Sequence, residues 1–492
     1  MQKHNNSFPL FLFSLAILAG CGQKAGEVKT LTNIKMRSAY FKNVQFNVNG
    51  YLPQGFNPLD TSIVKKTDCF KITYNQDNSI VAVSFVIKNT IENSYLYGFA
   101  ERKYDYTDSS IIIANYDKFG KIISQGKSKE GIKLAYKKIA MQNNMPISEL
   151  MLNINKTPVL DVPLRKFETN KQGQIIWESR VDAYQKVLDM SGGANVYFRK
   201  TSYTAKGLLE LVSFYKDKQT PISVDEIHAT KYTYNTMGNI VENSFLNENM
   251  QVEADKQSGM AYRKMEYDKY GCMTSQILLD IFLKPINNID GYAIQQNKFD
   301  GNTNNIERLF FDANNKPSFN KKIGAFGEKY EYTENGDMKT KYFVDNKGNI
   351  QNSALNLYAK TSMLYDEAGN LLEESFFDAN DKPVVPEDNL AHLKKMEYSS
   401  QGLLLKNSYF DINKKPLLLK KCACVSVQFE YDSMGNNTKE IYLNLQNTPT
   451  KQGREGIAWR TFKYDIFGEN TLTQFFDFNG KEITINGSAP LQ

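Results

Sequence analysis

The sequence is poor in the residues from which most catalytic and metal sites are built. Its 492 residues include only three histidines and two tryptophans. Histidine is a common general base and metal ligand, so a histidine-centred active site is not expected. The chain also lacks a Walker loop, a GxGxxG fingerprint, a Cys-x-x-Cys pair and a nucleophile elbow. These absences exclude the enzyme classes that such motifs mark, and no cofactor or metal is predicted.

Concentrated positive charge and long apolar runs are also missing. The net charge of +6 arises from 60 basic and 54 acidic residues that are spread along the chain. A nucleic-acid-binding domain concentrates positive charge on one face or helix, so no nucleic-acid partner is predicted. After the first twenty residues no segment reaches the roughly 18 apolar residues of a membrane-spanning helix. Tyrosine and phenylalanine are plentiful, at 29 and 30, as is typical of half-buried β surfaces.

The first twenty residues are predicted to be an export signal. Lys3 gives a positive start, residues 8–17 form a short apolar run, and the Leu-Ala-Gly-Cys sequence at 18–21 resembles the lipobox of bacterial lipoproteins. The resemblance implies cleavage before Cys21, lipid attachment to it, and a membrane anchor of two or more acyl chains. Gly22, in place of Asp, favours the outer membrane of a Gram-negative cell. The alternative is a cleaved secretory signal followed by a coincidental cysteine.

Self-similarity is the strongest signal in the rest of the chain. The phrase Tyr-Asp-x-x-Gly, with variations, returns every 33 residues, and its glycines are Gly336, Gly369, Gly402, Gly435 and Gly468. Earlier copies end at Gly207, Gly238 and Gly271, and one unit has Thr303 in that place. In most units Asp or Asn follows nine residues after the glycine, and in many a proline follows fourteen after, as at Asp378 and Pro383. A fixed period with several fixed positions indicates a repeat architecture.

Each unit predicts two strands joined by tight turns. In the Tyr-Asp-x-x-Gly turn, Asp bonds its own backbone and Gly supplies the positive φ of a type I turn with a G1 bulge. The later Asp-x-x-x-Lys-Pro stretch predicts a second turn. Because a lone hairpin is marginally stable, neighbouring units must stack to bury their aromatic side chains. The predicted fold class is all-β, with tandem stacked β-hairpins forming an elongated or spiralling twisted sheet.

The predicted organisation has five parts. Residues 1–20 are the lipoprotein signal peptide, and residues 21–33 are the lipidated tether. Residues 34–165 form a β-rich region that is either degenerate repeats or a separate cap. Residues 166–482 are the tandem hairpin repeats, and residues 483–492 are a C-terminal tail.

The repeated phrase also carries a family resemblance. Tyr-Asp-x-x-Gly-Asn, at 365–370 and 431–436, resembles the YD-repeats of Rhs-type proteins, over roughly residues 166–482. Rhs proteins build β-cocoons that enclose a C-terminal toxin, so the resemblance implies a hairpin array and suggests a toxin-associated role. The longer repeat of this chain departs from the family pattern. Choline-binding repeats, another hairpin array, rely on tryptophan cages, for which Trp177 and Trp459 are too few.

The remaining candidate residues are predicted to be structural. His228 and His392 occupy a repeat position that holds alanine in several other units. The Asp378–Asp381 stretch lacks the glycine and the bidentate glutamate of a calcium loop. Acidic residues that recur with the period are expected to form turns.

The cysteines after Cys21 have no predicted chemical role. Cys422 and Cys424 lie two apart, which on a strand would require a kink for them to bond. For these two, and for Cys69 and Cys272, unpaired or half-buried thiols are favoured over a long-range bridge.

The leading functional hypothesis is a non-enzymatic lipoprotein of the cell envelope, held to the membrane through the lipid on Cys21. Its repeat array would act as a binding or scaffolding surface for protein or glycan, because repeat arrays offer extended surfaces. One alternative is a glycan-acting enzyme with a site in residues 34–165 or at a break in the repeat. Another is a toxin-associated or immunity lipoprotein. Aromatic and acidic side chains gathered in one deep pocket would favour the enzyme.

Overall fold

The computed structural model describes residues 36–46, 52–94, 96–386, 391–419, 422–450 and 456–484. The predicted signal peptide and tether, with Cys21, lie outside the described residues. Where the chain is described, no helix combines the length and apolarity needed to cross a membrane.

The N-terminal part of the described chain is a run of strands with one short helix. Its elements are β1 (Arg37–Phe46), β2 (Pro53–Pro58), α1 (Thr61–Val64), β3 (Asp68–Tyr74), β4 (Ile80–Ile87), β5 (Thr90–Ile91), β6 (Glu101–Thr107), β7 (Ser110–Tyr116), β8 (Tyr136–Gln142) and β9 (Met145–Leu152). We call residues 36–152 the N-terminal segment.

The remaining elements are the strands of the hairpin repeats. They are β10 (Leu164–Thr169), β11 (Ile175–Val181), β12 (Val187–Leu188), β13 (Phe198–Tyr203), β14 (Leu209–Tyr215), β15 (Ala229–Tyr234), β16 (Ile240–Leu246), β17 (Tyr262–Tyr267), β18 (Met273–Leu279), β19 (Ile294–Phe299), β20 (Asn305–Phe311), β21 (Gly327–Tyr332), β22 (Met338–Val344), β23 (Lys360–Tyr365), β24 (Leu371–Phe377), β25 (Leu393–Tyr398), β26 (Leu404–Phe410), β27 (Ser426–Tyr431), β28 (Asn437–Leu443), β29 (Trp459–Tyr464), β30 (Asn470–Phe476) and β31 (Glu482–Ile483).

All of these strands belong to one antiparallel sheet. Apart from β1, which lies between β2 and β3, each long strand pairs with the next long strand along the chain, and β9 pairs with β10 in the same way. The short strand β5 pairs with the same edge of β4 as β6 does. In the same way, β12 pairs with the same edge of β11 as β13 does. No pairing joins β2 to β31 in the described part of the chain, so the sheet is open. The predicted all-β fold of tandem hairpins is confirmed.

The Tyr-Asp-x-x-Gly turns have the predicted geometry. In the turn between β23 and β24, the amide of Gly369 donates to the carbonyl of Asp366 at 3.1 Å, and Gly369 has a φ of +86°. The strand register shifts between Leu364 and Tyr365, which is the bulge expected after such a turn. We call these turns the first turns.

The second turns repeat this geometry at the other end of each hairpin. The amide of Asp378 donates to the carbonyl of Lys382 at 2.9 Å, and Asp381 takes the left-handed conformation with a φ of +60°. Pro383 lies just past the turn, in an isolated bridge with Phe377. Proline has no amide hydrogen to donate, so its position just past the turn removes no hydrogen bond from a ladder.

The repeat tyrosines connect successive units. Tyr332 donates its hydroxyl to the carbonyl of Asn305, at 2.8 Å, in the preceding unit. Tyr234 and Tyr203 make the equivalent bonds at 2.6 and 2.9 Å. Each of these tyrosines is half-buried on the same face of the sheet. The period of 33 thus reflects packing between neighbouring hairpins.

One cysteine prediction is wrong. Cys422 and Cys424 form a disulfide, with their Cα atoms 5.1 Å apart. They lie in the connection before β27 rather than within a strand, and Ala423 between them has a φ of +48°. This left-handed residue supplies the kink that a strand would not allow. Cys69 and Cys272 are unpaired and buried.

Candidate functional site

The N-terminal segment packs against the row of first turns. Asn57 donates to Asn239 at 2.6 Å, and Lys121 donates to Asn436, also at 2.6 Å. Between these two contacts along the segment, Lys88 forms an ion pair with Asp337. Earlier residues of the segment therefore contact earlier first turns, and later residues contact later first turns. The connections between N-terminal strands lie beside the first turns of units much later in the sequence.

A cavity of about 600 Å³ lies where these two parts meet. The N-terminal segment contributes residues 42–43, 66–68 and 87–88 to its wall, and the repeats contribute residues from β17 to β22 and their turns. The volume is within the range of small-molecule sites, roughly 300–1,000 Å³. The lining combines amide, hydroxyl and amine side chains with aromatic and aliphatic ones.

The repeat pattern breaks at this cavity. Thr303 replaces the first-turn glycine, yet it has a φ of +67°, which β-branched residues rarely adopt. Phe299 replaces the repeat tyrosine of the same unit. Asn297 replaces the large side chain that neighbouring units place two residues before that tyrosine, as in Met265 and Tyr330. All three residues of this one unit line the cavity.

Asn297 is held firmly in the wall. Its side chain is 7% exposed, and its Nδ2 donates to the carbonyl of Met273 at 2.8 Å. Its Oδ1 accepts from Gln295 at 3.2 Å and from Asn305 at 3.4 Å. The side-chain amides of Gln295 and Asn305, which are only half-buried, are therefore oriented by the buried amide of Asn297.

A charged pair forms part of the opposite wall. Lys42 Nζ donates to Asp68 Oδ1 at 2.8 Å and to Thr67 Oγ1 at 3.2 Å. Burial disfavours the charged form of both groups, but their mutual attraction and hydrogen bond outweigh this effect. The pKa of Lys42 is therefore raised, and the pKa of Asp68 is lowered. Both groups are charged near neutral pH.

Two unpaired thiols lie at and behind this wall. Cys272 lines the cavity and is 4% exposed, and Cys69, next to Asp68, is 1% exposed. Burial raises the pKa of each to about 12. Since the thiolate is the reactive form, neither is activated as a nucleophile near neutral pH.

The histidines lie in the core of the array, away from this cavity. His228 and His392 are 1% and 2% exposed. Their Nδ1 atoms are 3.0 Å from the carbonyl of Ile222 and 2.9 Å from the carbonyl of Phe376. They occupy the repeat position in which they were predicted to be structural.

The acidic residues of the Asp378 stretch form a turn. Asp378 Oδ1 accepts from the amides of Asn380 and Lys382, at 2.8 and 2.9 Å, and these bonds lower the pKa of Asp378. Across the described ranges, no group of three or more His, Cys, Asp or Glu side chains is placed to hold a metal ion.

The sequence showed an irregular repeat unit at this position but did not predict the cavity. The exchange of glycine for Thr303 was visible as a break in the period, and Asn297 could have been found as a polar residue at an apolar position. Lys42 and Asp68 carried no sequence signal, because the period does not extend clearly into the N-terminal segment. The contacts that bring this segment to the repeats also join distant parts of the sequence, since Asn43 donates to the carbonyl of Gly271, 228 residues away.

Neither a family model nor a curated protein matches this sequence. Among solved structures, a TcdB2-TccC3 complex without its hypervariable C-terminal region aligns with 89% of this chain and 28% of its own, at 11% identity and a TM-score of 0.26. The Tc holotoxin pore of Photorhabdus luminescens aligns with 89% of this chain and 27% of its own, at 11% identity and a TM-score of 0.19. This chain therefore spans less than a third of the length of those structures.

A third similar structure is a porin-like protein from Bacteroides uniformis. It aligns over 55% of this chain and 93% of its own, at 10% identity and a TM-score of 0.24. Superpositions this loose establish neither a family nor a function for this chain.

Proposed function

We propose that this chain is a lipid-anchored protein of the cell envelope that acts by binding, with the hairpin array as scaffold and the cavity at Thr303 as its ligand site. The observation that carries the proposal is the coincidence of the repeat break with the cavity. Positions that depart from an otherwise regular pattern are expected at functional sites. The anchor is supported by the order of charge, apolar run and lipobox that ends at Cys21.

The wall chemistry favours binding over glycan hydrolysis. Glycosidases use two carboxyl groups, about 5–9.5 Å apart, with different protonation states. The described wall of the cavity presents one carboxylate, Asp68, and Lys42 engages it. A charged, ion-paired carboxylate is neither a proton donor nor a free nucleophile.

The anchor is tested by expressing the full chain in a Gram-negative host with labelled palmitate. The parent should carry the label and sediment with membranes, and Cys21→Ala should lose both properties. Label-free parent protein recovered in the soluble fraction would contradict the anchor.

Binding is tested with the Cys21→Ala chain and solubilised envelope glycan and protein fractions. The expected result is a saturable complex from which the ligand is recovered chemically unchanged. Cleaved glycan products that disappear in Asp68→Asn would instead establish the enzyme alternative.

A further inference from the structure

We propose that the cavity at Thr303 binds a small organic anion, one that carries a carboxylate or phosphate group on a short apolar body. The inference rests on the proposed binding function and names the class of its ligand. Three properties of the lining lead to it: an excess of basic side chains, N–H groups on those side chains that are still free, and apolar surface beside them.

The lining of the cavity carries more positive than negative charge. The basic side chains in its described lining are Lys42, Lys66, Lys88 and Arg308, and the only carboxylate there is Asp68. Charges of one sign around a concave surface focus the field and attract a ligand of the opposite sign. Lys42 is not expected to bind that ligand, because its amine already donates to Thr67 Oγ1 and to the carbonyl and carboxylate of Asp68, at 2.8 to 3.2 Å.

Lys66 is the basic residue of the lining whose amine has no partner. Its side chain is half-buried, and no other side chain or carbonyl within the described ranges pairs with its amine. Its backbone is held in place, since its carbonyl lies against the first turn at Gly336. A half-buried charge has lost part of its hydration and is stabilised by a counter-charge. An anion in the cavity would supply that counter-charge.

Lys88 and Arg308 also keep donors free, although each has an acidic partner. Asp337 accepts from the amine of Lys88, and an ammonium group carries three N–H donors. Glu328 engages one terminal nitrogen of Arg308 at 3.4 Å, and the Nε of Arg308 is buried without a partner in the described structure. An anion can therefore bond to the remaining N–H groups without separating either ion pair.

The apolar part of the lining selects the rest of the ligand. Ile87, Met273, Phe299 and Met338 line the same cavity, and each is at least partly exposed. Covering such surface is favourable for an apolar group and is not available to a bare inorganic ion. The cavity volume of about 600 Å³ is in the range of small-molecule sites. The lining thus fits a molecule with an anionic end and a short aromatic or aliphatic body.

Lys66 and its neighbour Lys65 provide a matched pair of variants. Lys66→Met removes the charge from the lining and keeps a long unbranched side chain. Lys65→Met makes the same change one residue earlier, at an exposed position outside the lining. Neither amine is bonded within the described part of the chain, so both variants should fold. Lys66→Arg keeps the positive charge in the lining.

Binding is measured by isothermal titration calorimetry with the Cys21→Ala chain. The probes are phenylacetate, hexanoate and phenyl phosphate, with phenylacetamide and hexanamide as neutral counterparts and inorganic phosphate as the anion without a body. We expect at least one organic anion to bind, at least tenfold more tightly than its neutral counterpart and than inorganic phosphate. Lys66→Met should weaken this binding about tenfold, because it removes a charge-assisted hydrogen bond. Lys65→Met should stay within twofold of the parent, and Lys66→Arg should bind more tightly than Lys66→Met.

Three results would overturn the ligand assignment. They are no binding of any organic anion, equal affinity for the amides and the carboxylates, and equal losses in Lys66→Met and Lys65→Met. Binding to phosphatidylglycerol vesicles without binding of any free probe would also overturn it, and would assign the phosphate to a lipid headgroup. The comparison of probes on the parent needs no variant, so it decides the question even if Lys66→Met fails to fold.

Failure of this inference can be told apart from failure of the proposed function. Envelope capture and membrane anchoring are measured in separate experiments. A chain that captures envelope material but binds none of the organic anions would refute this inference and leave the proposed function intact.

Discussion

Thr67 and Thr303 share a hydrogen bond of 2.7 Å between their hydroxyls, although 236 positions separate them in the chain. Each side chain is 3% exposed. Thr303 keeps a left-handed backbone in which a β-branched residue is strained. The contact with the N-terminal segment therefore stabilises a turn conformation that its own sequence disfavours, at the edge of the proposed ligand cavity.

Removing one of these hydroxyls should destabilise the junction by about 0.5–1.5 kcal/mol, because the bond between the two buried hydroxyls is lost while Thr67 Oγ1 keeps its bond from Lys42 Nζ. We expect this result for Thr67→Val and for Thr303→Val, both of which keep the β-branched shape. The measurement is the opening free energy from hydrogen exchange of the amides in residues 61–67. The double variant should cost less than the sum of the two single variants. Strict additivity would show that the two hydroxyls do not interact.

Gly336 and Gly402 hold the same first-turn position but differ in their surroundings. Their φ values are +83° and +74°. A Cβ on Gly336 would overlap the carbonyl oxygen of Lys66, whereas on Gly402 its nearest neighbour would be Asn370 Oδ1 at 3.2 Å. Comparing alanine substitutions at the two glycines therefore distinguishes the cost of backbone strain from the cost of displacing the N-terminal segment.

Alanine at either glycine should cost about 1–2 kcal/mol for the left-handed conformation. Gly336→Ala should cost more, and it alone should speed hydrogen exchange in residues 61–67, because it displaces Lys66. Thermal midpoints and exchange rates of both variants test this expectation. Equal effects on the exchange of residues 61–67 would mean that the segment does not rest on this turn.

The repeat could be predicted because its causes are local. The first turn at Asp366 to Gly369 depends on an aspartate and a glycine within four residues, and the strand period depends on alternating side chains. These determinants recur in each unit, so a single sequence displays them many times. The fold class followed from them.

The cavity and the disulfide could not be predicted in the same way. Contacts such as Asn57 with Asn239 depend on how the sheet returns upon itself, which no local pattern records. The Cys422–Cys424 bond depends on the left-handed Ala423, and alanine gives no sequence signal for that conformation. What sequence could have shown was the irregular unit around Asn297 and Thr303.

Thiol counting tests the cysteine assignments. The Cys21→Ala chain retains Cys69, Cys272, Cys422 and Cys424. Ellman's reagent at pH 8 should detect no thiol in the native protein, because the two unpaired cysteines are buried. In denaturant it should detect two thiols, and reduction should raise the count to four, because one disulfide is present. Four thiols in denaturant before reduction would contradict the disulfide.

The buried thiols should also make the stability of the folded protein depend on pH. Burial raises the pKa of Cys69 and Cys272 to about 12 from an ordinary value of 9.0. The unfolded chain therefore loses these protons first, so their contribution to stability is complete below pH 9 and falls between about pH 9 and pH 12. The midpoint of urea unfolding should decline over this range, and less steeply in Cys272→Ala. An unchanged slope in that variant would show that Cys272 ionises as freely in the folded protein as in the unfolded one.

Glu328 and Glu374 allow a buried carboxylate to be compared with a half-buried one on the same sheet face. Glu328 is 2% exposed, and it accepts from Lys341 at 2.6 Å and from Tyr330 at 2.7 Å. Glu374 pairs with Lys394 at 3.1 Å, and its side chain is 26% exposed. Glu328→Gln should cost about 1–3 kcal/mol, because a buried carboxylate that accepts charge-assisted hydrogen bonds becomes a neutral amide. Glu374→Gln should cost about 1 kcal/mol or less.

Salt provides the second measurement for this pair of variants. Exposed charges are screened at high ionic strength and buried charges much less so. Raising the salt concentration from 0.05 to 1 M should therefore reduce the stability loss of Glu374→Gln in urea unfolding by a larger fraction than that of Glu328→Gln. If salt erased both losses equally, the carboxylate of Glu328 would be accessible to solvent, and the sheet face beside the cavity would be open there.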